Sequence, residues 1–205
     1  MCVQKDLIQI ALDLIKESFE ANPEGVLWMD AATGAGNTTL KLARLLKGKG
    51  ELISIDKDES SWTEWAYPKL ERENLLDVVK YIKEDLVDLS ELKCNFHGIF
   101  THATLSVMGY TALDAVSGWR KLLRPDGRLI ILDALPQEDA HDEDEEIANF
   151  SWNLIKAVNI LEGQIIHDEF PPEFWLNRLK DLGFSIEDYY FTNERKSRSE
   201  ESLEE

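Results

Sequence analysis

Val26-Leu27-Trp28-Met29-Asp30-Ala31-Ala32-Thr33-Gly34-Ala35-Gly36-Asn37, leading into Thr39-Leu40-Lys41-Leu42-Ala43-Arg44-Leu45-Leu46, reads as three local structures in succession. Val26 to Asp30 is an apolar run of strand length, and residues 39–46 carry apolar side chains at helical spacing. Between them, Gly34 and Gly36 let the backbone bend tightly and let a ligand approach without a side chain in the way. Strand, glycine turn and helix start together make a nucleotide-site architecture. Asp30, at the end of the strand, restricts the nucleotide, because its carboxylate would repel a pyrophosphate. A dinucleotide fingerprint counted from Gly34 also needs a third glycine, and the chain has Thr39 there. On these residues alone, a glycine-rich turn of some other doubly wound protein remains the alternative.

Working outward, Gly48 and Gly50 close a turn, and residues 51–56 form a second strand pattern ending in Asp56, twenty residues beyond Gly36. A carboxylate at that place can accept hydrogen bonds from both hydroxyls of a ribose. Residues 78–83 read as a third strand, followed by Glu84-Asp85-Leu86. On local grounds Asp85 could equally be a helix cap. A fourth strand, Gly98-Ile99-Phe100-Thr101, breaks at His102-Ala103. An imidazole at that edge could take a proton, since it titrates near neutrality. It could also simply bond the loop or cap Thr104. An amphipathic helix ending near Arg124, a Pro125-Asp126-Gly127 reversal and the run Arg128 to Asp133 supply a fifth strand.

The ordered set resembles the class I S-adenosylmethionine-dependent methyltransferases over about residues 26–135. The resemblance rests on Asp30-x-Ala32-x-Gly34-x-Gly36-Asn37, Asp56, Asp85-Leu86 and the helix, Pro125-Asp126-Gly127 turn and strand. It implies a doubly wound, mostly parallel α/β sheet and S-adenosylmethionine as cofactor. Asp30 would support the loop and the amino-acid end of the ligand, with Ala32 standing where the family often has its first glycine. Gly34 and Gly36 would hold that same end, Asp56 the ribose, and Asp85 with Leu86 the adenine. Lys57 stands where the family usually offers an apolar residue over the adenine face, so its aliphatic stem or Trp62 would serve. His102 would face the methyl donor, which makes it the candidate general base. The acid common at the start of the fourth strand is absent, replaced by Phe96-His97.

Composition agrees with one α/β domain. The chain has 205 residues, of which 43% are apolar, enough for one sizeable core. A domain over 1–192 with an N-terminal helix at 4–21 is expected, followed by a charged, flexible tail at 193–205. A net charge of −18 argues against nucleic acid as partner and favours a small-molecule acceptor. No transmembrane run or signal peptide is apparent, so no membrane association and a cytoplasmic location are expected. Cys2 and Cys94 have no metal or disulfide spacing. Seven acids in residues 138–146 are read as a solvated loop and not as a metal site, since consecutive carboxylates cannot converge on one ion.

The remaining segments are helices at 147–162 and 173–182 and a strand at 184–191. Phe170, Phe174 and Trp175 are either core or an aromatic substrate wall. The family's sheet normally ends with two further strands in the order 3-2-1-4-5-7-6, and this chain offers residues for only one, so the last antiparallel strand would be missing. Two other classes stay open: a non-catalytic partner or regulatory subunit with this fold, and an NAD-dependent oxidoreductase, against which Asp30 and Thr39 count.

Overall fold

The computed structural model describes residues 7–133, 143–161, 163 and 170–189. Five parallel strands form one sheet in the order β3-β2-β1-β4-β5. They are β1 (Val26–Ala31), β2 (Gly50–Asp56), β3 (Val79–Lys83), β4 (Phe96–His102) and β5 (Leu123–Leu132). The order reverses between β1 and β4, which is the switch point where ligands bind doubly wound sheets, beyond the carboxyl ends of the strands. The register sets Asp30 between Ser54 of β2 and Phe100 of β4, and Asp56 beside Lys83.

Alternate residues of the central strands feed two separate cores, as the two-residue period of a strand requires. Trp28, Leu52 and Phe100 face α1 (Leu7–Ala21), α2 (Asn37–Leu46) and α3 (Tyr67–Arg72), which is entered through a π-helical turn at Ser61–Ala66. Met29, Ile53, Ile55 and Ile99 face α5 (Thr111–Leu122), which buries Ala112, Ala115, Val116 and Trp119. A short α4 (Leu105–Met108) precedes α5, and α6 (Glu143–Leu161) and α7 (Pro172–Asp181) follow the sheet. The N-terminal helix therefore packs on the sheet through Ala11 and Ile15. Gly98 makes room for Trp28, since a Cβ there would come within 2.2 Å of the indole. The indole nitrogen of Trp28 donates to Ser18 on α1.

The structure departs from the sequence pattern in three places. The Pro125-Asp126-Gly127 segment is not a reversal ahead of a strand. The chain enters the sheet at Leu123 opposite Phe96, and residues 124–127 bulge out before Arg128 pairs with Gly98. Gly127 is folded against the Phe96 carbonyl, where a Cβ would sit 2.9 Å away. Secondly, no strand forms over 184–189; residues 190 and 191 lie outside the described residues. Gly183, at φ 84°, turns the chain out of α7, and the Phe184 N–H donates back to the Leu179 carbonyl. Phe184 then lies under the Arg120 guanidinium, and Glu187 pairs with Arg128, so side chains hold this segment where ladder bonds were expected. Thirdly, residues 143–146 of the acidic run are helical, forming the start of α6, where the helix dipole favours negative charge. Residues 138–142 and the tail at 193–205 lie outside the described residues. Among those described, no helix is long and apolar enough to cross a membrane.

His97 takes over where the expected acid is absent. Pairing of β1 with β4 begins only at Trp28 and Gly98, so the Leu27 N–H is left to donate to Nδ1 of His97. Burial, together with the neighbouring Arg124, pushes the His97 pKa below its usual value. The other ring nitrogen, Nε2, lies against the Arg124 guanidinium.

Candidate active site

The glycine turn is tied down from below and from one side. From below, Asp30 is 1% exposed and accepts from the hydroxyls of Thr39 (2.6 Å) and Ser54 (3.0 Å). Ser54 also meets the Thr33 hydroxyl at 2.7 Å. One buried carboxylate thus links the end of β1, the middle of β2 and the first turn of α2. Burial pushes its pKa up to about 6, against the lowering effect of the two hydroxyls and with a further upward push from Asp56. The residue that argued against a pyrophosphate and the residue that replaces the third glycine are therefore bonded to one another.

From the side, Asp56 at the end of β2 accepts from the Gly34 N–H (2.9 Å) through one oxygen and from the Asp58 N–H (3.0 Å) through the other. Each carboxylate oxygen has two lone pairs, so capacity for further donors remains. The hydroxyl of Tyr81 donates to the Asp56 carbonyl, which fixes the backbone at that point. The far side of the turn is held by Lys69 of α3, whose ammonium donates to the Ala35 carbonyl at 2.9 Å and to Asn37 Oδ1.

Backbone strain gathers at the same edge. Ala32 has φ 78° and Ala103 has φ 51°, each immediately beyond its strand, β1 and β4. Left-handed backbone is unfavourable for residues with a Cβ, and such outliers collect at functional sites. Gly36, at φ 77°, is pressed against α3's entry turn, where a Cβ would meet Ala66 at 2.5 Å. Gly34 differs: nothing lies within 4 Å of the Cβ it lacks, so the space over the turn is open.

The other expected residues divide. His102 lies exposed at the end of β4, with Nδ1 3.1 Å from the Thr38 hydroxyl on α2, so it sits beside the turn. Lys57 is exposed directly after Asp56. Trp62 is stacked on Tyr81 at 4.7 Å and 7° and is engaged there. Asp85 is exposed and accepts from the Val87 N–H, while Leu86 is core and its carbonyl accepts from Trp119. A recess of about 240 Å³ opens next to them, lined by Ile55, Ile82, Glu84, Asp88, Leu89, Ser90, Glu91 and Leu92. Glu84, Asp88 and Glu91 border it; Asp85 does not.

Two residues escaped the sequence reading. Asp133, following β5, accepts from the N–H groups of Thr104 (3.0 Å) and Leu105 (2.7 Å) and from the Ser106 hydroxyl (2.6 Å), and so caps α4 beside His102. Asp30, Asp56 and Asp133 each stand at or just past the end of a strand, and that repetition was the available signal. Tyr110 is the other. It is exposed just before α5 and meets Phe170 edge-on at 5.3 Å, while Phe170 stacks on Phe174. Because α5 leads back into the start of β5, Tyr110 lies at the end of α5 that faces the carboxyl edge of the sheet.

No protein-family model matches the chain, and no curated protein matches it in sequence. Solved structures do match. An O-methyltransferase family protein from Burkholderia thailandensis superposes with a TM-score of 0.67 at 16% identity, over 90% of this chain and 53% of that one. Magnesium protoporphyrin IX methyltransferase from Synechocystis PCC 6803, which carries bound S-adenosylhomocysteine, gives 0.63 at 19%, over 92% and 76%. The (4+2)-cyclase SpnF gives 0.63 at 19%, over 87% and 58%. The chain thus spans little more than half the length of two of these proteins. It has the class I S-adenosylmethionine-dependent methyltransferase fold, with a five-stranded, all-parallel sheet among the described residues.

Proposed function

We propose that the protein binds S-adenosylmethionine over the turn 32–37 and transfers its methyl group to an oxygen, nitrogen or carbon nucleophile of a small molecule. The observation that carries the reading is the turn itself: open above Gly34 and gripped by Asp56 and, from beneath, by Asp30. Asp56, with lone pairs to spare, is suited to the ribose hydroxyls. The recess at Ile55, Ile82 and Leu89 has apolar walls for an adenine and carboxylates at Glu84, Asp88 and Glu91 to accept from its amino group. Those acids fit that role better than Asp85. Asp30 supports the turn and does not reach a ligand.

When bound, S-adenosylmethionine supplies an electrophilic methyl on a sulfonium sulfur. The protein's share is then to align an acceptor in line with that methyl and to exclude water. His102, oriented through Thr38, is the group at this edge suited to take the acceptor's proton. The aromatic group Tyr110, Phe170 and Phe174 supports an apolar or aromatic acceptor. Thr39, buried where a dinucleotide-binding turn needs a glycine, speaks against NAD.

A fold can host other chemistry, as the match to a cyclase illustrates. Turnover with a panel of phenols, amines and carboxylates, followed by release of S-adenosylhomocysteine, therefore tests the reaction separately from binding. The expected result is turnover with at least one acceptor, lowered roughly 10²-fold or more by His102→Gln with donor affinity kept. Donor binding without turnover on any acceptor would favour a non-catalytic partner or regulatory subunit.

A further inference from the structure

Along α6, Ile147, Phe150, Leu154, Val158 and Leu161 are each between 43% and 86% exposed. At 3.6 residues per turn they fall within roughly 80° of arc, a single straight stripe. We propose that this stripe is the interface of a homodimer, in which α6 packs antiparallel against α6 of a second copy about a two-fold axis through Leu154. This inference does not depend on the methyltransferase reading.

Three observations point to a second copy. The stripe complements itself under a two-fold axis: Leu154 meets Leu154, the large Phe150 lies opposite the small Val158, and Ile147 lies opposite Leu161. Large-against-small pairing is what lets two helix faces interdigitate. The area also suffices. These side chains expose on the order of 500 Å² per copy, so pairing that covers the whole stripe removes up to about 1,000 Å² from water, the lower limit for a specific interface. Finally, charge selects the direction. The acidic start of α6, residues 143–146, would lie side by side with its copy in a parallel pair. In the antiparallel pair the two starts are on the order of 25 Å apart at 1.5 Å per residue, well beyond the Debye length at physiological salt.

Sedimentation velocity of the full chain across the micromolar range tests this. The wild type should be a dimer at tens of micromolar, strengthened by added salt because each copy carries a net charge of −18. Leu154→Glu should weaken the dimer about a hundredfold without lowering the monomer's unfolding midpoint. A wild type that stays monomeric, or a Leu154→Glu protein that dimerises as well as wild type, would overturn the proposal. Cross-linking gives an arm that does not depend on a charged substitution being tolerated. With Cys2→Ser and Cys94→Ser, Leu154→Cys should oxidise to a covalent dimer much faster than Asn153→Cys, its off-stripe neighbour. Equal rates would also overturn it.

Discussion

At Ala32 a single methyl group sits in a backbone conformation that glycine adopts freely, at φ 78°. Ala32→Gly relieves left-handed strain of about 1–2 kcal/mol but adds backbone entropy to the unfolded chain. The net expectation is a gain of about 0.5–1 kcal/mol in urea unfolding; a loss of stability would contradict the strain. Asp30 makes a second residue-scale prediction. Its folded pKa is raised, to about 6, so the folded state holds its proton more tightly than the unfolded one. Stability should therefore fall as pH rises from about 4 to 6 and level off above that, by about 3 kcal/mol for this group alone. Asp30→Asn keeps an oxygen to accept from Thr39 and Ser54 and cannot ionise. Its unfolding free energy should exceed that of wild type by about 1–3 kcal/mol at pH 8 and converge with it below pH 4. Parallel profiles would mean that Asp30 is not held as described.

Among the elements, α4 depends on a carboxylate from another strand. Asp133→Ala removes the acceptor for three backbone N–H groups and one hydroxyl at the start of α4 and should cost about 1–2 kcal/mol in chemical unfolding. Because α4 follows His102, turnover should fall further than donor affinity does; an equal loss in both would place Asp133 in general stability only. The elements that carry their own local signal were legible in sequence. The apolar run at 26–31, the glycine turn and the 3.6-residue period after it specify β1, the loop and α2. Contacts distant in sequence were not legible. The bulge at 124–127 sets Gly127 against Phe96, and residues 184–189 are met by Arg120 over Phe184 and by the Arg128–Glu187 pair. Neither partner can be inferred from local periodicity.

On the scale of the whole molecule, two cores clamp one parallel sheet, and the ordered residues at its carboxyl edge come from β1, β2, β4 and β5. The strand, glycine turn and helix start, with Asp56 beside them, were legible because the glycines and that carboxylate stand at fixed offsets along the chain. Asp30 was noticed for its charge, yet its partner Thr39, nine residues on across the turn, shows only in three dimensions. Likewise, that Glu84, Asp88 and Glu91 line the recess while Leu86 packs into the core does not show in the local pattern after β3. His102, Asp133 and Tyr110, further along the same edge, belong to no motif of fixed spacing. What this edge binds is read out by calorimetric titration. S-adenosylmethionine and S-adenosylhomocysteine should each bind with micromolar affinity to the wild type and fail to bind Asp56→Ala, whereas NAD should not bind at all. Binding of NAD without either S-adenosyl compound would rule out S-adenosylmethionine as the ligand of this edge.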